Sequence, residues 1–193
     1  MRVSRTTWFV AVAALVTALV PAAAADAAPA ATGASAVTAR APYCGLTWGS
    51  RDRSVGGQSS SHSITAVRAG RHACFDRLVV DGATWARVGY VSVVYTEGAG
   101  QPVPLRGGAR LQIVTDRSES VATGQATFVP ANRKELVNLT GYRTFRQAAY
   151  AGSFEGQTTL GLGVRARLPF RVFVIPASGG QPSRVVVDVA HAW

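Results

Sequence analysis

From Gly70 onward, apolar and polar residues alternate with period two, the spacing that puts every second side chain on one face of a β-strand. Phe75 to Asp81 reads as a compact strand, and Ala86 to Thr96 as a longer one with Val88, Tyr90 and Val94 on one face. Ala109 to Thr115 sets Leu111 and Ile113 against Arg110 and Gln112. Thr144 to Phe154 alternates less cleanly. The longest alternation runs from Leu160 to Val174. It places Leu160, Leu162, Val164, Ala166, Leu168, Phe170, Val172 and Val174 on one face, and Gly161, Gly163, Arg165, Arg167, Pro169 and Arg171 on the other. Pro169 has no N–H to give a ladder, so an edge position, a bulge or a break between two strands is expected there. Arg184 to Val189 closes the pattern, with Val185, Val187 and Val189 facing inward.

Turn signals at Gly98 to Gly100, Gly107-Gly108 and Ser178-Gly179-Gly180 separate these runs. After Pro130, Asn132 and Glu135 stand in a capping-box relation that would open a short helix. No long amphipathic helix is written in the chain. Short strands with Gly-rich turns point to an all-β fold, an antiparallel β-sandwich with or without that one short helix.

Two strands echo each other. Asp76-Arg77-Leu78-Val79-Val80-Asp81 resembles Ser183-Arg184-Val185-Val186-Val187-Asp188. In each, an arginine (Arg77, Arg184) and an aspartate (Asp81, Asp188) are four apart, hence on one face of the strand. If the two strands pair, these side chains can form a cross-strand charge ladder.

The N-terminus breaks the pattern. Arg2 and Arg5 precede an uncharged apolar run from Trp8 to Val20, and Ala25-Asp26-Ala27 offers a small-residue cleavage site. The run is shorter than the roughly 20 residues of a spanning helix. Residues 1–27 are therefore read as a signal peptide rather than an anchor, with no transmembrane segment after cleavage. Residues 28–41 form an Ala/Thr/Ser/Pro-rich leader, and 42–193 a single domain. The export signal places that domain outside the cytoplasm, secreted, and either held at the cell wall or free to diffuse.

Charge narrows the partners. Removing Arg2, Arg5 and Asp26 from the 20 basic and 10 acidic residues leaves a charge of about +9. Lys134 is the only lysine. Outside a cell such a surface meets anionic wall polymers or acidic headgroups, or simply keeps the protein soluble. Export argues against nucleic acid. The cysteine pair Cys44 and Cys74 points to a disulfide in an oxidising compartment, with two free thiols as the alternative.

Catalytic patterns are missing. His62, His72 and His191 stand in no metal-ligand spacing, and no G-x-S-x-G elbow occurs. Neither metal nor cofactor is expected. A hydrolase would need a site assembled from distant parts. Glu155, Asp81 and Asp188 are available as acids, but strand positions favour ion pairs. Asn138-Leu139-Thr140 matches a glycosylation sequon, read here as chance. Two groups look suited to binding. One is the basic strip Arg165, Arg167 and Arg171. The other is Tyr142 and Arg143 with Phe154 and Gln157, where rings and polar groups suit a glycan. A solvated sheet face and ordinary core aromatics are the plainer readings of both. The polar loop from Ser118 to Pro130 is a third candidate, for a protein partner.

Tyr43 to Ser50, His72 to Asp81, Pro104 to Ala109, Tyr142 to Phe145 and Ser183 to His191 together resemble the AMIN-like domain of secreted actinobacterial proteins. The strands built on Arg77 and Arg184 are similar to those of the broader AMIN domain. The resemblance implies a β-sandwich module of the kind that targets amidases and secretins to peptidoglycan, although neither domain follows here. The expected function is a non-enzymatic, envelope-associated binding module for peptidoglycan or an anionic wall polymer. The alternatives are a secreted protein-binding or inhibitor-type protein, or a hydrolase with a dispersed site.

Overall fold

The computed structural model describes residues 41–59, 61–120 and 122–193. The expected signal peptide and the expected leader up to residue 40 lie outside the described residues. A single 3-10 turn, Tyr43–Gly45, precedes the strands β1 (Arg53–Gly56), β2 (Ala66–Arg71), β3 (Phe75–Asp81), β4 (Trp85–Val91), β5 (Val94–Tyr95) and β6 (Pro102–Val103). Then follow β7 (Ala109–Asp116), β8 (Phe145–Phe154), β9 (Gln157–Val164), β10 (Phe170–Ile175) and β11 (Arg184–Ala190).

Nine of these strands form two antiparallel sheets that pack face to face, the all-β sandwich expected from the alternation, and β5 pairs with β6 in a separate ribbon. One is five-stranded, in the order β1-β4-β7-β9-β8; the other is four-stranded, in the order β10-β11-β3-β2. The core lies between them. Leu111, Ile113, Leu160, Leu162 and Val164 come from the first sheet, and Leu78, Val80, Phe170, Val185, Val187 and Val189 from the second. Each such side chain, taken fully out of water, contributes about 1.5–3 kcal/mol of transfer free energy.

The alternation from Leu160 to Val174 is one pattern but two strands. The chain leaves the five-stranded sheet after Val164 and enters the four-stranded sheet at Phe170, with Pro169 at the break. The period survives because both inner faces look into the same core. The Tyr90 hydroxyl pins this crossing: it donates to Leu168 O at 2.7 Å and accepts from Leu168 N at 3.0 Å. Burial raises the Tyr90 pKa, against the hydrogen bond to Leu168 and the charge of Arg167.

Two sequence expectations need correction. Ala86 to Thr96 is not one strand. The chain breaks after Val91, and Val94 turns away from the main core into a second small one with Leu105, Ala149 and Ala151. The β5–β6 ribbon thus covers the outer face of the five-stranded sheet. That is why Gly161 and Gly163 occupy the outward positions of β9: a Cβ at Gly163 would overlap the carbonyl oxygen of Arg106. Nor does a helix follow Pro130 among the described residues. Asn132 Oδ1 accepts from Lys134 N at 2.9 Å, closing a local turn, and Glu135 pairs with Arg106 instead of capping.

Candidate functional site

The outward face of the four-stranded sheet carries its charge under aromatic rings. The register places Arg171, Asp188 and Arg77 side by side across β10, β11 and β3. Arg77 Nε donates to Asp188 Oδ1 at 2.7 Å and its Nη2 to Oδ2 at 2.9 Å. Arg171 donates to Oδ2 from Nε at 2.8 Å. The Asp188 side chain is 0% exposed. Hydrogen bonding to Asp188 raises the Arg77 pKa further above its already high value. Removing the shared carboxylate would leave two guanidinium groups facing each other.

Rings flank both cations. The Arg77 guanidinium lies 5.2 Å from the Phe75 ring and 5.6 Å from Phe173. That of Arg171 lies 5.6 Å from Trp48, 5.2 Å from Phe75 and 5.3 Å from Phe173. Such contacts contribute about 0.5–2 kcal/mol each, depending on desolvation. His72 stacks on Phe75 at 4.4 Å, and Trp48 sits 5.9 Å from Phe75. The result is a half-exposed band of rings and guanidinium groups: Tyr43, Trp48, Phe75, His72 and Phe173 with Arg77 and Arg171.

Two tethers hold the Trp48 segment on this face. The Cys44–Cys74 disulfide joins it to the start of β3. Gly49 and Phe170 exchange backbone hydrogen bonds at 3.1 and 2.6 Å. The cysteine pairing expected from the sequence is therefore formed.

The charge ladder is only half formed. β3 and β11 are neighbours, and Arg184 stands opposite Asp81 as Arg77 stands opposite Asp188. Asp81, however, is held by Arg68 of β2, whose Nε and Nη2 donate at 2.6 and 2.7 Å. Arg68 uses both carboxylate oxygens in a fork. Arg184 forms no ion pair among the described residues, and its buried Nε has no hydrogen-bond partner there.

Each end of the sandwich opens into a cleft. At one end, about 450 Å³ is lined by Arg71, His72, Asp76, Gly141, Arg143 and His191. Its floor is a buried pair: His191 Nε2 lies 3.1 Å from Asp76 Oδ1, and Nδ1 lies 3.2 Å from Ala73 O. Asp76 Oδ2 accepts from Thr144 N and Phe145 N, and Arg165 donates to His191 O. At the other end, about 670 Å³ is lined by small uncharged residues, among them Ser63, Thr65, Ser120, Thr127, Ala177 and Ser183, together with His62. The Ser118 to Pro130 loop forms one wall. It is tied to the chain before β2 by Ser63 Oγ donating to Glu119 O and Thr127 Oγ1 to Ile64 O.

The residues grouped from sequence disperse. Arg165, Arg167 and Arg171 do not share a strand face, because the chain changes sheets between them. Arg165 bonds His191 O, Arg167 lies over the Tyr90 ring at 4.7 Å and donates to Ser50 O, and Arg171 joins Asp188. Tyr142 and Arg143 precede β8, whereas Phe154 is its last residue and Gln157 opens β9. Ten residues at about 3.4 Å each put these pairs roughly 30 Å apart. Phe154 is 54% exposed. The aromatics beside the arginines that sequence reasoning passed over are Trp48, Phe75 and Phe173. Trp48 had a signal, its place four residues after a disulfide cysteine. Asp76, Arg68 and Arg71 had none beyond their strand positions.

Among the described residues no helix is long and apolar enough to cross a membrane, and no three His, Cys, Asp or Glu side chains converge as metal ligands would. A comparison with curated proteins finds no match. The model of the AMIN-like domain matches residues 62–191, taking in every strand from β2 to β11, both arginine–aspartate strands and the His191 pair, so the chain belongs to the AMIN-like domain family.

Proposed function

We propose that this domain is a non-enzymatic binding module of the cell envelope and that the ring-and-arginine face of the four-stranded sheet takes the glycan of peptidoglycan. The observation that carries the reading is the half-exposed band of Trp48, Phe75 and Phe173 locked around Arg77, Asp188 and Arg171. A sugar ring presents an apolar face that stacks on an aromatic one, and guanidinium groups beside the rings bond its hydroxyls. The rings are held before any ligand arrives, which lowers the ordering cost of binding. Family membership supports the envelope setting. Two histidines are engaged within the domain: His191 Nε2 and Nδ1 lie within hydrogen-bond distance of Asp76 Oδ1 and Ala73 O, and His62 Nδ1 within that of the Ser59 and Ser61 hydroxyls.

Co-sedimentation with peptidoglycan sacculi stripped of anionic polymers tests this. The protein should pellet and stay bound in high salt, because stacking is not screened as charge is. Trp48→Ala should weaken binding by about tenfold, the worth of one stacked ring at roughly 1–2 kcal/mol. Reducing the disulfide should weaken it as well, since Trp48 then loses a tether. Protein that stays in the supernatant at low salt overturns the reading.

A further inference from the structure

We propose that the cleft between the β2–β3 turn and the turn at 139–144 is an oxyanion site for the phosphodiester groups of an anionic polymer. Arg71 and Arg143 both line it and both are exposed. Neither has a carboxylate partner among the described residues, whereas Arg68, Arg77, Arg106 and Arg171 each do. Two sides of the cleft supply the donors. Arg71 and His72 come from the end of β2, and Arg143 from the turn closed by Tyr142 N donating to Leu139 O at 3.2 Å.

Arg71 is positioned rather than free-swinging. Its guanidinium lies 5.9 Å from the Tyr142 ring, and its Nη1 would sit 3.3 Å from a Cβ at Gly141. A side chain at Gly141, where φ is +78°, would push into the arginine. Both oxygens of the one carboxylate in the cleft are already hydrogen-bonded. Asp76 Oδ1 faces His191 Nε2, and Oδ2 accepts from two backbone amides. The floor is therefore occupied by its own partners, and the arginines above it are left to a ligand.

The arrangement favours phosphate over carboxylate. A carboxylate offers two coplanar oxygens to one guanidinium fork. A phosphodiester offers oxygens in a tetrahedron, which donors from opposite walls can reach together. His72 links this cleft to the aromatic band, because it lines one and stacks on Phe75 in the other. The site rests on the envelope reading only for where such a polymer would be met.

The test is calorimetric titration of the full-length protein with soluble poly(glycerol phosphate) at low salt, with inorganic phosphate and polyglutamate as separate arms. Arg71→Gln and Arg143→Gln should each weaken polymer binding by about tenfold, the worth of one charge-assisted hydrogen-bonded pair. Arg87→Gln removes the same charge from an exposed position on β4 and should change it by less than about twofold. Inorganic phosphate should compete with the polymer, and polyglutamate should bind more weakly. An equal loss in Arg87→Gln, equal binding of polyglutamate, or no binding of poly(glycerol phosphate) overturns the proposal. Trp48→Ala should leave this affinity intact while lowering the pelleting with stripped sacculi, so the two sites can fail separately.

Discussion

At one end of the sandwich Asp76 Oδ2 accepts from Thr144 N at 2.6 Å and Phe145 N at 3.1 Å. At the other end Asp116 Oδ2 accepts from Thr84 N at 2.6 Å and Trp85 N at 3.1 Å. Both carboxylates are buried, and each accepts from the amide of a threonine and from that of the aromatic residue that opens the following strand. The second oxygens differ. Asp76 Oδ1 meets His191, whereas Asp116 Oδ1 has no partner among the described residues. One backbone device therefore yields two different ends. Where histidine partners the aspartate, Arg71 and Arg143 line the cleft without ion pairs among the described residues. At the other end the cleft is lined by small uncharged residues.

The largest expected effect separates the two aspartates. Asp76→Asn keeps an oxygen for the two amides but loses the charged acceptor facing His191. It should lower stability by about 1.5–3 kcal/mol, the range for a hydrogen bond to a charged group. Asp116→Asn keeps an oxygen for the two amides and for the Thr84 hydroxyl, which also donates to Oδ2 at 3.2 Å, and its other oxygen gives up no partner among the described residues, so it should cost less than about 1 kcal/mol. Urea denaturation of the two variants measures both. Equal losses would mean that the carboxylate charge itself, and not its partner, sets the stability of each cap.

Some of this was legible in the chain. Val185, Val187 and Val189 face inward as their spacing implied, and all are 0% exposed. The Arg77–Asp188 pairing followed from two similar strands once they were neighbours. Alternation, however, reports which residues face a core and not which sheet they belong to. Val164 and Phe170 keep one period while the chain changes sheets between them, and that crossing scattered Arg165, Arg167 and Arg171. Val94 shows the same limit, since an apolar residue on period can serve a second core. Asp81 shows a third. Its partner lies on β2, ahead of the region where the alternation becomes readable, so Arg68 displaced Arg184 unseen.

Hydroxyls sharpen the comparison at lower energy. Thr144 Oγ1 donates to Ala190 O at 3.2 Å in a buried position, whereas the buried Ser183 Oγ has no partner among the described residues. Thr144→Val should cost about 1 kcal/mol, the net worth of an ordinary hydrogen bond, while Ser183→Ala should be neutral or slightly stabilising. Thermal melts of the two variants decide this. A clear loss in Ser183→Ala would mean that its hydroxyl bonds something at that end after all.

The smallest effect is a titration at the basic end. Burial raises the Tyr142 pKa and the charge of Asp76 raises it further, while Arg71 over the ring lowers it. Below the ordinary tyrosine value of about 10, both folded and unfolded chains keep the proton, and Tyr142 adds no pH dependence. Above it the unfolded chain ionises first, so stability falls as pH rises, until the folded group ionises too. Arg71→Gln removes the one opposing charge, so tyrosinate absorbance of the folded variant should show Tyr142 titrating at still higher pH. Tyr142→Phe should remove this group's part of the alkaline loss and leave that of Tyr90, whose pKa burial also raises. An unchanged Tyr142 titration in Arg71→Gln would mean that the guanidinium does not rest on the ring in solution. The position of Arg71 over the cleft, on which the oxyanion site depends, would then be lost with it.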